Sequence, residues 1–184
     1  ENNNIQELQV ISGTFNAEYG RAMSGIINMV TKDGGNNLEG SFRSFLGDHY
    51  SNDKIYRDLD TYNLFNQSNY EAQISGPIIK DRISFFTSFR KYDTDGWLSG
   101  LNTFDMYGDT LLNIEYRPMN WIDKYSFQNK FTFKLSPVAK LRLNYIKSDE
   151  KSQAYDHYRQ MNQGGRSIQY NNGYFLGLNF SYTF

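Results

Sequence analysis

The side chains with the chemistry to bind or react are gathered in three stretches of this 184-residue chain, 48–69, 92–124 and 147–172. Its two histidines, His49 and His157, fall in different stretches, and neither neighbourhood repeats a His-x-x-x-His metal spacing. Both read as solvated connection residues rather than ligands. Asp53, Asp58 and Asp60, followed by Asp93, Asp95, Asp105 and Asp109, supply the hard oxygens that calcium prefers, but without an EF-hand spacing they read as solvated charge. No Gly-x-Ser-x-Gly elbow is present to expose a serine nucleophile. Gly20, Gly25, Gly34 and Gly35 lack the helix and lysine of a phosphate loop, so they are expected to serve backbone geometry or close approach. With no cysteine there is neither a disulfide nor a thiolate metal site. No catalytic residue, cofactor or metal is expected, and the chain is not expected to be an enzyme.

The aromatic residues of the same stretches are better suited to binding. Tyr50, Tyr56, Tyr62 and Phe65 fall in the first, Trp97, Phe104, Tyr107, Tyr116 and Trp121 in the second, and Tyr155, Tyr158 and Tyr170 in the third. A flat ring with a polar tip buries much area for little lost entropy, which fits capture of a small molecule, glycan or peptide. Tyr50, Tyr56, Tyr62, Trp97, Tyr107, Trp121 and Tyr158 are the ligand-contact candidates; the alternative is that these rings pack the connections against one another. The balance of 19 basic and 20 acidic residues carries no basic patch for nucleic acid.

The elements that would position these stretches are strands. From Tyr125 to Leu135 the odd positions are Tyr, Phe, Asn, Phe, Phe and Leu, while Ser126, Gln128, Lys130, Thr132 and Lys134 alternate with them. Such a period of two puts one strand face in an apolar medium and the other in a polar one. Tyr174, Leu176, Leu178, Phe180, Tyr182 and Phe184 repeat the pattern, as do Tyr70, Ala72, Ile74 and Ile78, then Ile83, Phe85 and Phe89, then Leu141, Leu143 and Tyr145. A weaker strand begins at Leu38, with Phe42 and Phe45 on opposite faces. The expectation is six strands of roughly 8–12 residues, a length that crosses hydrocarbon when tilted, with Tyr70, Tyr125, Tyr174 and Tyr182 at or near their ends. Short turns at 76–81 and 136–139 alternate with the three long stretches, the asymmetry of an outer-membrane barrel with short periplasmic turns and long outer loops. A mean hydropathy of −0.69 does not oppose this, because only every second residue of a spanning strand is apolar. Ahead of the strands, 6–12 reads as a short strand, 26–30 as an apolar run, and Lys32-Asp33-Gly34-Gly35-Asn36-Asn37 as a breaker that separates residues 1–37 from 38–184.

Glu18-Tyr19-Gly20-Arg21, then Ser24-Gly25-Ile26-Ile27-Asn28-Met29-Val30-Thr31-Lys32, resemble the closing motif of the plug domain of TonB-dependent outer-membrane receptors. The fuller stretch Phe15 to Arg21 and the turn Ser75-Gly76-Pro77-Ile78-Ile79-Lys80-Asp81 resemble the Oar-like, carboxypeptidase-regulatory-domain subgroup. The resemblance implies an all-β chain, a partial antiparallel transmembrane barrel of about six strands preceded by the C-terminal part of a plug. It also implies the bacterial outer membrane, contact with its lipid, and import of an oligosaccharide, peptide or siderophore. Energy would come from the TonB complex through a missing N-terminal region, with a surface lipoprotein as a further partner. Arg21, Asn28, Thr31 and Lys32 would contact the barrel wall, or else satisfy backbone groups within the plug. A barrel of this class needs about 22 strands, so six make the chain a fragment of a longer receptor. Two alternatives are a non-transporting barrel subunit of an envelope or secretion complex and a soluble β-sandwich whose apolar stripes pack together.

Overall fold

The computed structural model describes residues 5–11 and 26–183. Among them the fold is all-β, with strands β1 (Ile5–Ile11), β2 (Ile26–Thr31), β3 (Glu39–Gly47), β4 (Gln67–Ile79) and β5 (Ile83–Asp95). There follow β6 (Ser99–Phe104), β7 (Thr110–Pro118), β8 (Trp121–Ser136), β9 (Ala139–Gln153) and β10 (Gln169–Tyr182). Three antiparallel sheets result: β1 with β2, β6 with β7, and a six-stranded sheet in the order β10-β9-β8-β5-β4-β3. The large sheet is a meander broken once, where the β6–β7 hairpin is interposed between the paired strands β5 and β8.

The six strands of the large sheet are the six expected from alternation, and the short and long connections alternate as expected. Five of the six strands are longer than expected, however, β3 with 9 residues being the exception. β4 and β5 each have 13 residues, β8 has 16, β9 has 15 and β10 has 14. The excess lies at the end bearing the long connections, where hydropathy stops alternating but the hydrogen-bond ladder does not. There charged neighbours replace apolar ones: Lys91 with Asp123, Lys124 Nζ with Glu150 Oε2 at 2.9 Å, and Arg90 Nε with Glu71 Oε1 at 3.3 Å. Cross-strand opposite charges support a ladder as apolar pairs do. Trp121 and Tyr170, expected in connections, are therefore strand residues, and Tyr70, Tyr125 and Tyr174 lie well inside their strands.

Two further corrections concern turns. β4 continues through Pro77 to Ile79 with an irregularity in register, so the turn to β5 is only residues 80–82, with Asp81 in the left-handed region at φ 61°. The second long connection, expected to lack regular structure, contains β6 and β7. Their turn is set by Asp105, whose Oδ1 accepts from the N–H groups of Tyr107 (2.8 Å) and Asp109 (2.9 Å), and by Gly108 at φ 96°.

Register assigns every side chain of the large sheet to a face. One row reads Phe42, Ala72, Phe89, Phe127, Lys147, Tyr174, and the next Gly40, Ile74, Thr87, Asn129, Tyr145, Leu176. Below them come Gly76, Phe85, Phe131, Leu143, Leu178, and then Ile83, Phe133, Leu141, Phe180. These four rows form an apolar band about 20 Å tall between its outer rows, at ~3.3 Å per residue. Above it the row Ser44, Tyr70, Lys91, Tyr125, Asp149, Asn172 turns polar, with tyrosine interleaved among charges. The opposite face carries Ser84, Ser88, Gln128, Lys130, Thr132, Arg142 and Asn144.

Burial on this sheet is reversed from that of a water-soluble sandwich. Ser84, Ser88, Gln128, Lys130 and Thr132 are buried, with Phe86 the apolar residue of the sheet's interior that joins them. On the other face Ile74 of β4 is 45% exposed and Phe89 of β5 44%, Phe42, Leu176 and Leu178 of the outer strands are more open still, and among the described residues no second sheet packs over them. A β-sandwich would have sealed these residues between layers.

Candidate functional site

The polar face holds the first candidate site, and it begins where β2 ends. Residues 31–37 cross this face on the way to β3. Lys130 Nζ donates to Thr31 O at 2.9 Å and Thr31 Oγ1 at 3.1 Å, and pairs with Asp33 Oδ1 at 2.6 Å. The Lys130 side chain is only 9% exposed, so its contacts with Thr31 and Asp33 are made largely away from water. Arg142 Nε, one strand further on, reaches Asp33 Oδ2 at 3.3 Å, and Arg142 Nη1 reaches Ser181 Oγ of β10 at 3.5 Å. Gly34 lies against the backbone of Phe85 so closely that a Cβ there would collide with it. Asp81 N donates to Asn36 Oδ1 at 3.3 Å, which ties the segment to the β4–β5 turn.

The second candidate site is at the opposite end of the strands, where the three long connections meet. Within the first, Asp48 acts as a local hub, accepting from Asn63 N at 2.6 Å and from Asn66 Nδ2 at 3.0 Å. Asp95 N donates to Asn66 O at 2.8 Å and so joins the first connection to β5. Thr103 N donates to Met161 O at 2.9 Å, and Asn162 Nδ2 to Asp105 O at 2.7 Å, which fastens the third connection to the β6–β7 hairpin. Tyr56 and Trp97, from the first and second connections, meet edge to face at 5.9 Å between centroids. This pair separates a cleft of about 400 Å³, lined by His49, Tyr50, Ser51, Tyr56, Leu59 and Trp97, from one of about 310 Å³ that extends to Tyr155 and His157. Burial raises the Asp58 carboxyl above its ordinary range, and the nearby charges of Asp60 and Asp48 raise it further.

The candidate residues divide accordingly. Tyr50, Tyr56 and Trp97 come together in one cleft. Tyr62 is exposed outside it, Tyr107 is 83% exposed at the tip of the β6–β7 hairpin, and Tyr158 is 95% exposed. Trp121 opens β8, its Nε1 donating to Gln153 Oε1 at 3.1 Å. Both histidines have partners: Gln67 Nε2 contacts His49 Nε2, and Tyr155 Oη lies 3.0 Å from His157 Nδ1. Among the described residues no three His, Asp or Glu side chains gather in a way that would hold a metal ion.

Of the proposed plug-end residues, Thr31 meets Lys130 through backbone and side chain, while Lys32 is exposed. Gly34 makes a close backbone approach, whereas a Cβ at Gly35 would meet only Asn37 N, at an ordinary 3.9 Å. Glu18, Tyr19, Gly20, Arg21 and Gly25, and the side chain of Asn28, lie outside the described residues. Asp33, Lys130 and Arg142 were not singled out from the sequence. Their partners are 99 and 109 positions away, and Lys134 and Lys140 lie on the same polar stripe, so no local signal set Lys130 and Arg142 apart.

The chain is similar to the TonB-dependent transporter Oar of Myxococcus xanthus, with 32% identity over 112 residues, 55% of this chain and 11% of that protein. It thus spans about a tenth of the curated relative it matches. The similarity supports kinship with the TonB-dependent receptor family. No protein-family profile and no solved structure matches.

Proposed function

We propose that residues 1–37 are the closing part of a plug and 38–184 the first strands of an outer-membrane β-barrel, in a TonB-dependent receptor of the Oar-like, carboxypeptidase-regulatory-domain subgroup. The observation that carries this reading is the reversed burial of the large sheet. An apolar band capped by Tyr70, Tyr125 and charged residues suits lipid bounded by an interface, and the serines, glutamine and lysine opposite suit a polar lumen. The segment 31–37 lying on that polar face fits a plug entering the barrel wall from inside. β3 and β10 are the outer strands of the sheet, so further strands of the longer protein would pair with them.

In this reading the whole protein is not an enzyme but imports a bulky nutrient, drawing energy from the TonB complex. The long connections face outward, and the cleft beside Tyr56 and Trp97 belongs to the surface that meets the glycan, peptide or siderophore, with or without a surface lipoprotein. Deleting the whole gene should abolish growth on one bulky nutrient, and collapsing the proton gradient should stop its uptake. Normal growth on every such nutrient would overturn the importer. Uptake that survives loss of the gradient would instead favour a passive barrel subunit.

A further inference from the structure

We infer that Lys130 and Arg142 clamp Asp33 as a fixed end, so that movement of the β1–β2 unit stops at this residue and is not passed to β3. The geometry of the contact supports this. Lys130 Nζ donates to two acceptors on Thr31 and lies 2.6 Å from Asp33 Oδ1 as an ion pair, so one ammonium holds both residues. Arg142 takes the other Asp33 oxygen and itself reaches Ser181, so one carboxylate ties the segment to β8 and β9 and, through Arg142, to β10.

Two neighbouring contacts make the clamp a terminus rather than one contact among many. Gly34 lies on the Phe85 backbone with no room for a side chain, which keeps the segment flat on β5 immediately after the carboxylate. Asn36 and Asp81 then fix the segment at the turn before β3 begins. A pull from the β1–β2 side loads Thr31 and Asp33 first. Because Lys130 is nearly sealed from water, its pairing is screened little by salt, and loss of Asp33 would leave a buried charge without its counterion. Lys130 and Arg142 are positioning residues in this account.

The consequence for gating rests on the transport reading, whereas the clamp itself does not, and one experiment separates them. The full-length protein, assembled in a supported outer-membrane bilayer, is pulled from its N-terminus by a single-molecule probe while its extension is followed. The wild type and K130R should show a rupture event at the chain length that corresponds to Asp33. K130Q and D33N should lose that event, and R142Q should weaken it. D33N lies outside the sheet, so it remains informative if K130Q does not assemble. An event that persists in D33N, or is absent from the wild type, overturns the clamp. A receptor that shows the event but imports no nutrient keeps the clamp and loses the transport reading. A transporting receptor without the event loses the clamp alone.

Discussion

The large sheet and the cluster of long connections follow different rules of burial. In the sheet the buried side chains are mostly Ser, Gln, Thr and Lys, and phenylalanines and leucines stand outside. In the cluster apolar and polar side chains are buried together, Leu59 and Met119 with Asn102, Gln163 and Arg166, and both Ile55 and Tyr158 stand exposed. The boundary runs along the row Tyr70, Lys91, Tyr125, Asp149, where apolar side chains give way to tyrosine and paired charge. A single strand such as β8 obeys one rule at Phe131 and the other at Asp123. Under the proposed function the apolar band meets lipid and the cluster meets water, and each long strand of the sheet passes from one to the other.

The largest effect should come from forcing the sheet to follow the cluster's rule. Phe131→Arg places a charge in the middle of the apolar band, and in the proposed bilayer setting it should cost about 2–4 kcal/mol. Urea titration of the full-length protein in lipid would measure this, and a loss no larger than that of an exposed connection residue would contradict the two-solvent division. On the polar face Gly34→Val should follow, at about 1–3 kcal/mol, because its side chain must displace the Phe85 backbone. Faster amide exchange across residues 31–36 with unchanged exchange in β9 would confirm that the effect is local.

Within the cluster, Trp97→Ala removes the edge-to-face contact with Tyr56, an interaction of about 0.5–1.5 kcal/mol beyond area burial. A double-mutant cycle with Tyr56→Ala should show coupling of that size while the sheet's unfolding midpoint stays fixed. Movement of that midpoint would mean that the two regions are energetically one.

The smallest effect is one of pH. Asp58 has a folded-state pKa above its ordinary value of 3.8, so its ionised form is disfavoured in the folded connection. The penalty is fully present above the raised pKa and is relieved as pH falls through it towards 3.8. Amide exchange in residues 48–66 should therefore slow relative to its intrinsic rate over that window, and Asp58→Asn should remove the dependence. Exchange that accelerates instead would reverse the assigned sign.

Much of this architecture was legible in the chain. Alternation over Phe127 to Phe133 and Leu176 to Phe180 declares strands with one apolar face, because side-chain direction in a strand is fixed by a period of two. The alternation of short and long connections follows from where those strands end. The plug-end motif pointed to the family that the Oar similarity also supports. Strand length was not legible, because the added residues at the long-connection end, Lys91, Asp93 and Asp123 among them, have no hydropathy pattern and pair only through a neighbour's ladder.

The sequence by itself determined where the six strands of the large sheet run and which side of their alternating part is oily, since both are properties of consecutive residues. The tertiary structure alone decided which strands are neighbours, and hence that tyrosines at 70 and 125 share one row. It also decided that an aspartate at position 33 meets a lysine at 130 and an arginine at 142. Pairing over about a hundred residues depends on sheet order and register, and neither is written in any local stretch of the chain.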